Sequence, residues 1–135
     1  MEIKRNEATF NRPDGDRVLD GTYVFIDIPS YIHQIKEEKA WEKNDRNGIT
    51  VFKSSNITQV ITVMHQGSAI KDNELDAYLT VQVLSGNIRI STSDGDIDAT
   101  KHQMITFHPH VKHSLEALSE SIILLTTFNN DAEMQ

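Results

Sequence analysis

YLTVQVLSGNIRIST, at residues 78–92, is the stretch that decides the fold. On both sides of Ser85-Gly86, large aliphatic residues alternate with polar ones: Leu79, Val81 and Val83 before the pair, and Ile88 and Ile90 after it. A period of two is typical of strands that bury only one face. Because glycine tolerates the positive φ that a tight reversal needs, the pattern predicts a β-hairpin that turns at Ser85-Gly86.

Strand patterns also fill the chain around this hairpin, from Gly48 onwards. They are GITVFKS at 48–54, ITQVITVMH at 57–65, a short edge piece at 69–73, QMITF at 103–107, and HSLEAL and SIILLTTF from residue 113. The acidic run SDGDID at 93–98 is interpreted as a second tight turn. Because the strands follow one another closely with no helix between them, the sequence predicts an all-β fold, an antiparallel jelly-roll barrel of about eight strands.

The beginning of the chain differs from the barrel strands. Its first residues are polar, and TYVFIDI at 22–28 predicts the first strand, which Pro29 ends. Ser30 is a candidate N-cap, and apolar residues at helical spacing predict one N-terminal helix over 31–43. Three parts result: an arm without a core of its own at 1–20, a single barrel domain at 21–128, and a frayed tail at 129–135.

The composition excludes several kinds of partner. The chain has 135 residues, enough for one domain, and carries 20 acidic against 13 basic residues, a net charge of −7. Because that charge repels polyanions, we expect no nucleic-acid partner. No segment approaches the ~20 apolar residues that cross a bilayer, and no apolar signal sequence is present, so we expect no membrane partner and a cytoplasmic location. With no cysteine, neither disulfides nor thiolate chemistry is available.

From Gly67 onwards, the spacing of residues resembles that of the small single-domain cupins. The first motif of that family has two histidines, a glutamate and a final glycine, which correspond here to Asn73, Leu75, Leu79 and Gly86. The second motif falls on His102, His108, His110, His113 and Ala117, of which only His113 keeps the family's residue. The segments VQVLSGNIRI and VKHSLEALSESIILLTTF support the resemblance, which covers about residues 48–127.

The resemblance implies a cupin jelly roll with degenerate metal-binding motifs. Metal-binding cupins hold one ion through the two histidines, the glutamate and the second-motif histidine, and they leave positions open for substrate. Leucine has no electron pair to donate, so Leu75 and Leu79 cannot replace these ligands. We therefore expect no cofactor and no metal-dependent chemistry. The alternative is a divalent transition metal in a rearranged site formed by His113, His108 and His65.

The histidine cluster that begins at His108 has several interpretations. His113, Leu115 and Ala117 share one face of a strand, which the motif match places in the barrel interior, whereas His110 lies in a turn and is predicted to face water. The cluster can supply polar residues of a pocket or surface, hydrogen-bonding groups for a ligand, or a non-standard metal site. These three interpretations stay open.

The barrel interior is predicted to be lined by leucine, isoleucine and valine. A mostly apolar concavity with a few polar groups is the usual form of a small-molecule site. The predicted ligand pocket consists of Asn73, Leu75, Leu79, His108, His113, Leu115 and Ala117. The alternative is an interior that its own side chains fill completely, as in many small barrels.

No catalytic constellation can be identified in the sequence. It offers no nucleophile beside a base, no paired carboxylates and no phosphate-binding loop. His102 is predicted to be an exposed turn residue, and His65, at a strand end, is predicted to be a satisfied histidine at the barrel rim.

Three functions stay open. The first is a non-enzymatic cupin domain that binds or senses a small, partly apolar molecule without a metal. The second is a metal-dependent enzyme with the remodelled histidine site. The third is a homodimeric structural or interaction protein, in which the strand edge near TYVFIDI and the arm before it pair with a second copy.

Overall fold

Eleven strands and two short helices make up the computed structural model, which describes residues 3–10 and 12–129. In chain order they are β1 (Lys4–Asn6), β2 (Arg17–Asp20), α1 (Ile28–Glu37), α2 (Lys39–Lys43), β3 (Arg46–Lys53), β4 (Ile57–Met64), β5 (Ala69–Asn73), β6 (Ala77–Ser85), β7 (Asn87–Thr92), β8 (Gly95–Thr100), β9 (Met104–Phe107), β10 (His113–Ala117) and β11 (Ser121–Asn129). Neither helix of the described residues is long and apolar enough to cross a membrane. The tail predicted at 129–135 lies outside the described residues, except for Asn129.

The strands form two antiparallel sheets whose inner faces pack together. The larger sheet has the order β3-β4-β11-β6-β9, and the smaller one has the order β5-β10-β7-β8. Strands β1 and β2 form a separate two-stranded ribbon. Along β6, β7 and β10, deeply buried residues alternate with more exposed ones, as the period of two predicts. The predicted all-β jelly roll is therefore confirmed.

Two clusters of buried apolar side chains hold the layers together. The larger cluster fills the space between the sheets and contains Met64, Leu79, Val81, Val83, Ile88, Ile90, Ala99, Phe107, Leu115, Ala117 and Ile123. The smaller cluster joins the opposite face of the five-stranded sheet to α1 and contains Ile35, Ile49, Val51, Ile61 and Val63. The sheet that carries β11 is thus covered on both faces, which explains its nearly continuous apolar sequence.

The chain crosses from one sheet to the other at Gly86, between β6 and β7. Strand β6 pairs with β11 and β9, whereas β7 pairs with β10 and β8, so the two arms do not pair with each other. The predicted hairpin is therefore wrong. Gly86 has a φ of +91°, and a Cβ there would lie 2.5 Å from the carbonyl oxygen of Glu120. The alternation of residues identifies the buried face of a strand, but it does not identify the neighbouring strand.

TYVFIDI is not the first strand of the barrel. Residues 22–27 belong to no strand, and α1 begins at Ile28. The side chains still alternate, since Ile26 and Ile28 pack against the smaller cluster while Tyr23 and Phe25 are 82% and 83% exposed. The prediction is wrong because β-branched and aromatic residues favour any half-buried surface. Here the buried half packs against the smaller cluster, formed by side chains of α1, β3 and β4, without strand pairing.

The helical region begins earlier than predicted and is interrupted. Asp27, rather than Ser30, is the N-cap of α1, and its side chain accepts a hydrogen bond from the Ser30 N–H at 3.4 Å. Pro29 lies in the first helical turn, where its missing N–H breaks no helical hydrogen bond. Glu38 then adopts an extended conformation between α1 and α2. The single helix predicted for 31–43 is therefore two short helices.

Strand β8 lies where the sequence predicts only an acidic turn. The strand follows directly from the turn at 93–94 and pairs with β7 along its length. Its aspartates alternate with Ile97 and Ala99, which pair with Ile90 and Ile88 of β7. The aspartates and the glycine favour a turn locally, and they concealed the short alternation of an edge strand.

Two arginines fasten the N-terminal arm to the barrel. Arg12 forms a two-pronged ion pair with Glu38, with N–O distances of 2.9 and 2.8 Å, and also donates to the Gly48 carbonyl at 2.8 Å. Arg17 donates to the Thr50 carbonyl at 2.7 Å. Because both arginines bond carbonyls of β3, residues of the polar arm are held along the edge of the five-stranded sheet.

Glu38 is the centre of a partly buried polar network at the break between the helices. Its side chain is only 9% exposed, and besides Arg12 it accepts a hydrogen bond from the Asn47 amide at 3.0 Å. Burial raises the pKa of Glu38, but the hydrogen bonds from Arg12 and Asn47 outweigh burial and hold the pKa below its ordinary value. The network therefore stabilises the ionised carboxylate and, with it, the extended backbone at Glu38.

Candidate functional site

His113 is buried at one end of the sandwich. Its exposed fraction is 2%, and its ring is stacked on Phe107 with 4.3 Å between the ring centroids. Nδ1 lies 2.9 Å from the Val111 carbonyl oxygen, and Nε2 lies 3.4 Å from the side-chain nitrogen of Asn73. Because a carbonyl can only accept, Nδ1 carries the proton, and Nε2 presents its lone pair to the Asn73 amide.

The other inward residues of the predicted pocket are part of the packed core. Leu79, Leu115 and Ala117 are 4%, 2% and 1% exposed and belong to the larger cluster, and the partly buried Leu75 packs against it. The predicted inward orientation of His113, Leu115 and Ala117 is confirmed by their burial. Side chains from both sheets fill the interior around them, so a ligand pocket at this place stays a prediction.

His108 and His65 lie apart from the buried His113. His108 is exposed, and its ring contacts Tyr78 with 5.2 Å between centroids. His65 is stacked on Trp41 at 3.4 Å, and its Nε2 lies 2.7 Å from the Trp41 carbonyl oxygen, as predicted for a satisfied rim histidine. The part of the chain that the structure describes contains no group of three or more His, Asp or Glu side chains that could hold a metal ion.

His102 and His110 are exposed turn residues, as the sequence predicts. Both have left-handed backbones, with φ values of +74° and +67°. The ring of His110 lies between two carboxylates, with its Nε2 3.0 Å from Asp76 and its Nδ1 3.9 Å from Glu74. His110 is therefore tied to the loop between β5 and β6, whereas His102 lies in the turn between β8 and β9.

A groove opens into the sandwich between β8 and β9, which are the edge strands of the two sheets. We name this groove the β8–β9 seam. Its volume is about 330 Å³, and it is lined by apolar Ile90, Ile97, Ala99, Met104 and Ile105 and by polar Asp98 and Gln103. Its floor is continuous with the core, because Ile90 and Ala99 belong to the larger cluster. At its rim, Ile97 and Met104 remain 57% and 65% exposed.

The polar groups of the β8–β9 seam are mostly engaged with neighbours. Asp98 forms a two-pronged ion pair with Arg89 at 2.9 and 3.1 Å, and these hydrogen bonds lower the pKa of Asp98 and raise the pKa of Arg89. Oε1 of Gln103 accepts from the Thr100 N–H at 2.9 Å. The side-chain amide nitrogen of Gln103 donates to no other described residue. The seam thus combines an apolar floor, a neutralised ion pair and one available amide donor.

The β8–β9 seam is a site that the sequence did not predict. Its apolar residues come from three strands, and the seam exists only because β8 and β9 are edge strands of different sheets. The alternation of Ile97 and Ala99 with aspartates is the signal that could have revealed the inward face of β8. No local pattern in the sequence shows which strands lie at the sheet edges.

Solved structures show a similarity of fold that sequence comparisons do not. No protein-family model and no curated protein sequence matches the chain. A cupin superfamily protein from Desulfitobacterium hafniense is similar in structure, with a TM-score of 0.67, 15% identity, and coverage of 83% of this chain and 95% of that one. A conserved Streptococcus pyogenes protein of unknown function has a TM-score of 0.63 and 15% identity, covering 82% of this chain and 90% of that one.

A third similar structure belongs to the same fold. It is an RmlC-like cupin from Shewanella frigidimarina, with a TM-score of 0.61, 12% identity, and coverage of 67% of this chain and 82% of that one. These matches cover most of each compared chain, and two of the three proteins are described as cupins. The two-sheet topology and the partly matching motif spacing of this chain are consistent with the cupin fold of these structures. The chain therefore has the fold of a small single-domain cupin.

Proposed function

We propose that this cupin-fold domain binds a small, mainly apolar molecule in the β8–β9 seam. The observation that carries the proposal is the exposure of Ile97 (57%) and Met104 (65%) beside a groove of about 330 Å³. Small-molecule sites usually have volumes of about 300–1,000 Å³, with apolar walls and a few placed polar groups. A ligand that covers both side chains would remove from water the apolar surface that the fold leaves exposed.

The groups around the seam favour a neutral ligand that carries a hydrogen-bond acceptor. The chain has a net charge of −7, which repels an anion. The charge of Asp98 is already paired with Arg89, which gives a cation little additional attraction. The side-chain amide of Gln103 can donate to a carbonyl, ether or hydroxyl oxygen on the ligand.

The proposed site differs from the pocket predicted around His113, where packed side chains occupy the interior. Binding in the seam requires no metal ion. A metal-dependent enzyme that uses His113, His108 and His65 receives no support from their positions, since His108 contacts Tyr78 on the outside and His65 bonds Trp41. We therefore favour a non-enzymatic binding or sensing domain over the remodelled enzyme.

Titration with 6-propionyl-2-dimethylaminonaphthalene, a neutral apolar fluorophore with a carbonyl acceptor, tests the proposed site. We expect saturable fluorescence enhancement with one probe per chain, and native mass spectrometry of the mixture should show the same stoichiometry. Ile97→Glu places a charge in the seam and removes a side-chain contact that contributes about 1.5–3 kcal/mol when buried. The affinity should fall by about 10-fold or more.

Phe10→Glu is the matched control, because Phe10 is 99% exposed and lies on the N-terminal arm, outside β8, β9 and the segment 21–26. It introduces the same charge and should leave the affinity unchanged. Two results would contradict the proposed site: no saturable binding by the wild-type protein, or an equal loss of affinity in the two variants.

We also propose that the protein forms a homodimer through residues 21–26. Tyr23 and Phe25 are more than four-fifths exposed, and the segment GTYVFI carries no charge, so two copies can meet there without repulsion. In a two-fold dimer, the Tyr23 and Phe25 rings of both copies would together bury roughly 500–800 Å². Ile3, which lies beside Gly21, would extend the contact toward the ~1,200 Å² that specific interfaces bury.

Analytical ultracentrifugation at micromolar concentration tests the dimer. The wild-type protein should sediment as a dimer and the double variant Tyr23→Ser, Phe25→Ser as a monomer. Phe128→Ser is the control, since Phe128 is 38% exposed at the far end of β11. A monomeric wild-type protein would contradict the proposal, and so would a dimer that only Ile97→Glu dissociates, because the β8–β9 seam would then be the interface.

We further propose a cytoplasmic protein without nucleic-acid or membrane partners. A chain without cysteine gains nothing from an oxidising compartment, and a net charge of −7 disfavours polyanions. Cell fractionation should recover the protein with cytoplasmic markers. Recovery with membranes, or retention on DNA at ~0.15 M salt, would contradict this assignment.

A further inference from the structure

Two loops meet over the end of the sandwich that contains His113. One loop joins β5 to β6, and the other, residues 108–112, joins β9 to β10. The N–H of His110 donates to the Leu75 carbonyl at 2.7 Å, which ties the middle of one loop to the middle of the other. His110 makes this bond from a left-handed backbone with a φ of +67°. A non-glycine residue adopts that conformation only at a cost that its surroundings must offset.

The side chain of His110 provides the compensating contacts. Its Nε2 is 3.0 Å from Asp76 Oδ1, and its Nδ1 is 3.9 Å from Glu74 Oε2. Both ring nitrogens thus face carboxylates, which only accept hydrogen bonds. A neutral imidazole has no charge to pair with these anions, whereas a protonated imidazole places a positive charge within ion-pair distance of both carboxylates. The arrangement is therefore complementary to the charged form of the ring.

The two loops cover groups that belong to the interior. Leu75 packs against the larger cluster, and the Val111 carbonyl accepts the Nδ1 hydrogen bond of the buried His113 at 2.9 Å. If loop 108–112 moved away from Leu75, it would expose this edge of the core and release the orientation of the His113 ring. Closing of the loops and the position of His113 are thus coupled.

We propose that residues 108–112 form a pH-dependent clamp, in which protonated His110 binds Asp76 and Glu74 and closes the His113 end of the sandwich. Histidine is the side chain that ordinarily changes charge between about pH 5 and pH 8. Protonation at the lower end of this range gives the ring a charge opposite to that of its two partners. The closed arrangement becomes more populated, and it loosens as the pH rises.

Other charged groups lie on the elements around His110. Its own loop carries His108 and Lys112, and Lys53 lines the surface groove that Leu75 and Asp76 also line. The ring of His108 is placed against Tyr78 rather than against a carboxylate. Lys53 and Lys112 keep their charge across the pH range concerned, so they alter the strength of the clamp but not its pH dependence.

Hydrogen exchange of full-length protein, measured by mass spectrometry, tests the clamp. The protection of residues 108–112 is compared between about pH 5.5 and pH 8, after normalisation to an unstructured peptide of the same sequence. The side chains of His110 and Asp76 are 62% and 68% exposed. Since exposed ion pairs have modest effects, we expect protection about two- to fivefold higher at the lower pH.

His110→Asn is the decisive variant, because asparagine tolerates the left-handed backbone but does not titrate. The pH effect on loop 108–112 should disappear. Asp76→Asn should reduce it strongly, and Glu74→Gln should reduce it less because its contact is longer. His102→Asn is the matched control, since His102 is also an exposed left-handed histidine, and it should keep the full effect. A pH effect that persists in His110→Asn, or its absence from wild-type protein, would overturn the proposal.

Discussion

Replacing Gly86 with alanine tests the crossing between the sheets, because Gly67 offers a control with nearly the same backbone. Gly86 has a φ of +91° and Gly67 a φ of +88°. A Cβ on Gly86 would lie 2.5 Å from the Glu120 carbonyl and would also meet Ser121, whereas a Cβ on Gly67 would meet nothing within 4 Å. The two substitutions therefore share the conformational cost and differ in the steric one.

The expected magnitudes follow from these two costs. Alanine in the left-handed region costs about 1–2 kcal/mol, which is the whole expected effect of Gly67→Ala on the free energy of unfolding. At Gly86 the Glu120 carbonyl must move as well, which adds about 1–3 kcal/mol of overpacking. That movement also disturbs the hydrogen bond from the Asn87 N–H to Ser121 Oγ, now 3.0 Å long. We expect Gly86→Ala to destabilise the protein by about 3–4 kcal/mol.

Urea denaturation, followed by circular dichroism and by the fluorescence of Trp41, measures both changes. The difference between the variants should be about 2 kcal/mol in favour of Gly67→Ala, with equal m-values. In a simple hairpin the Cβ of residue 86 would face solvent, and the two substitutions would have similar costs. A difference below about 0.5 kcal/mol would therefore refute the crossing at Gly86.

Two further predictions concern the polar network and the core. Glu38→Gln should lower the free energy of unfolding by about 1–3 kcal/mol at neutral pH, because Arg12 loses its charged partner. Since the folded pKa of Glu38 lies below its unfolded value, this contribution is complete above about pH 5 and is lost as the pH falls through the folded pKa. Wild type and variant should thus converge in acid, and a constant difference would contradict the assignment. Ile123→Ala, at a fully buried position of β11, should cost about 2–5 kcal/mol in the same assay, against about 0.5 kcal/mol for Thr126→Ala.

The positions of most strands could be predicted because burial of one face leaves a local signal. His113, Leu115 and Ala117 alternate with more exposed residues, and all three are buried. Pairing could not be predicted in the same way, because it depends on residues far along the chain. The Glu120 carbonyl lies so close to Gly86 that a Cβ there would clash, and no pattern near Gly86 reveals this contact. The same reason explains TYVFIDI, whose buried residues pack against the smaller cluster without pairing to any strand.

The candidate sites were less predictable than the fold. Motif spacing placed His108 in the pocket, yet it follows the inward-facing Phe107 by one residue and is exposed on the outside. The β8–β9 seam depends on which strands are left at the sheet edges, which is a property of topology. The carboxylates around His110 come from a different loop, and its left-handed backbone has no signal in the sequence comparable to a glycine.

The place of β11 in the larger sheet has a consequence for synthesis of the chain. This strand lies between β4 and β6 and pairs with both along nearly its whole length. Among the described strands, β11 leaves the ribosome last. Until then, the edges of β4 and β6 that pair with β11 have no partner. Such long-range pairing slows folding. Until β11 emerges, the nascent chain depends on dilution or chaperones to avoid intermolecular strand pairing.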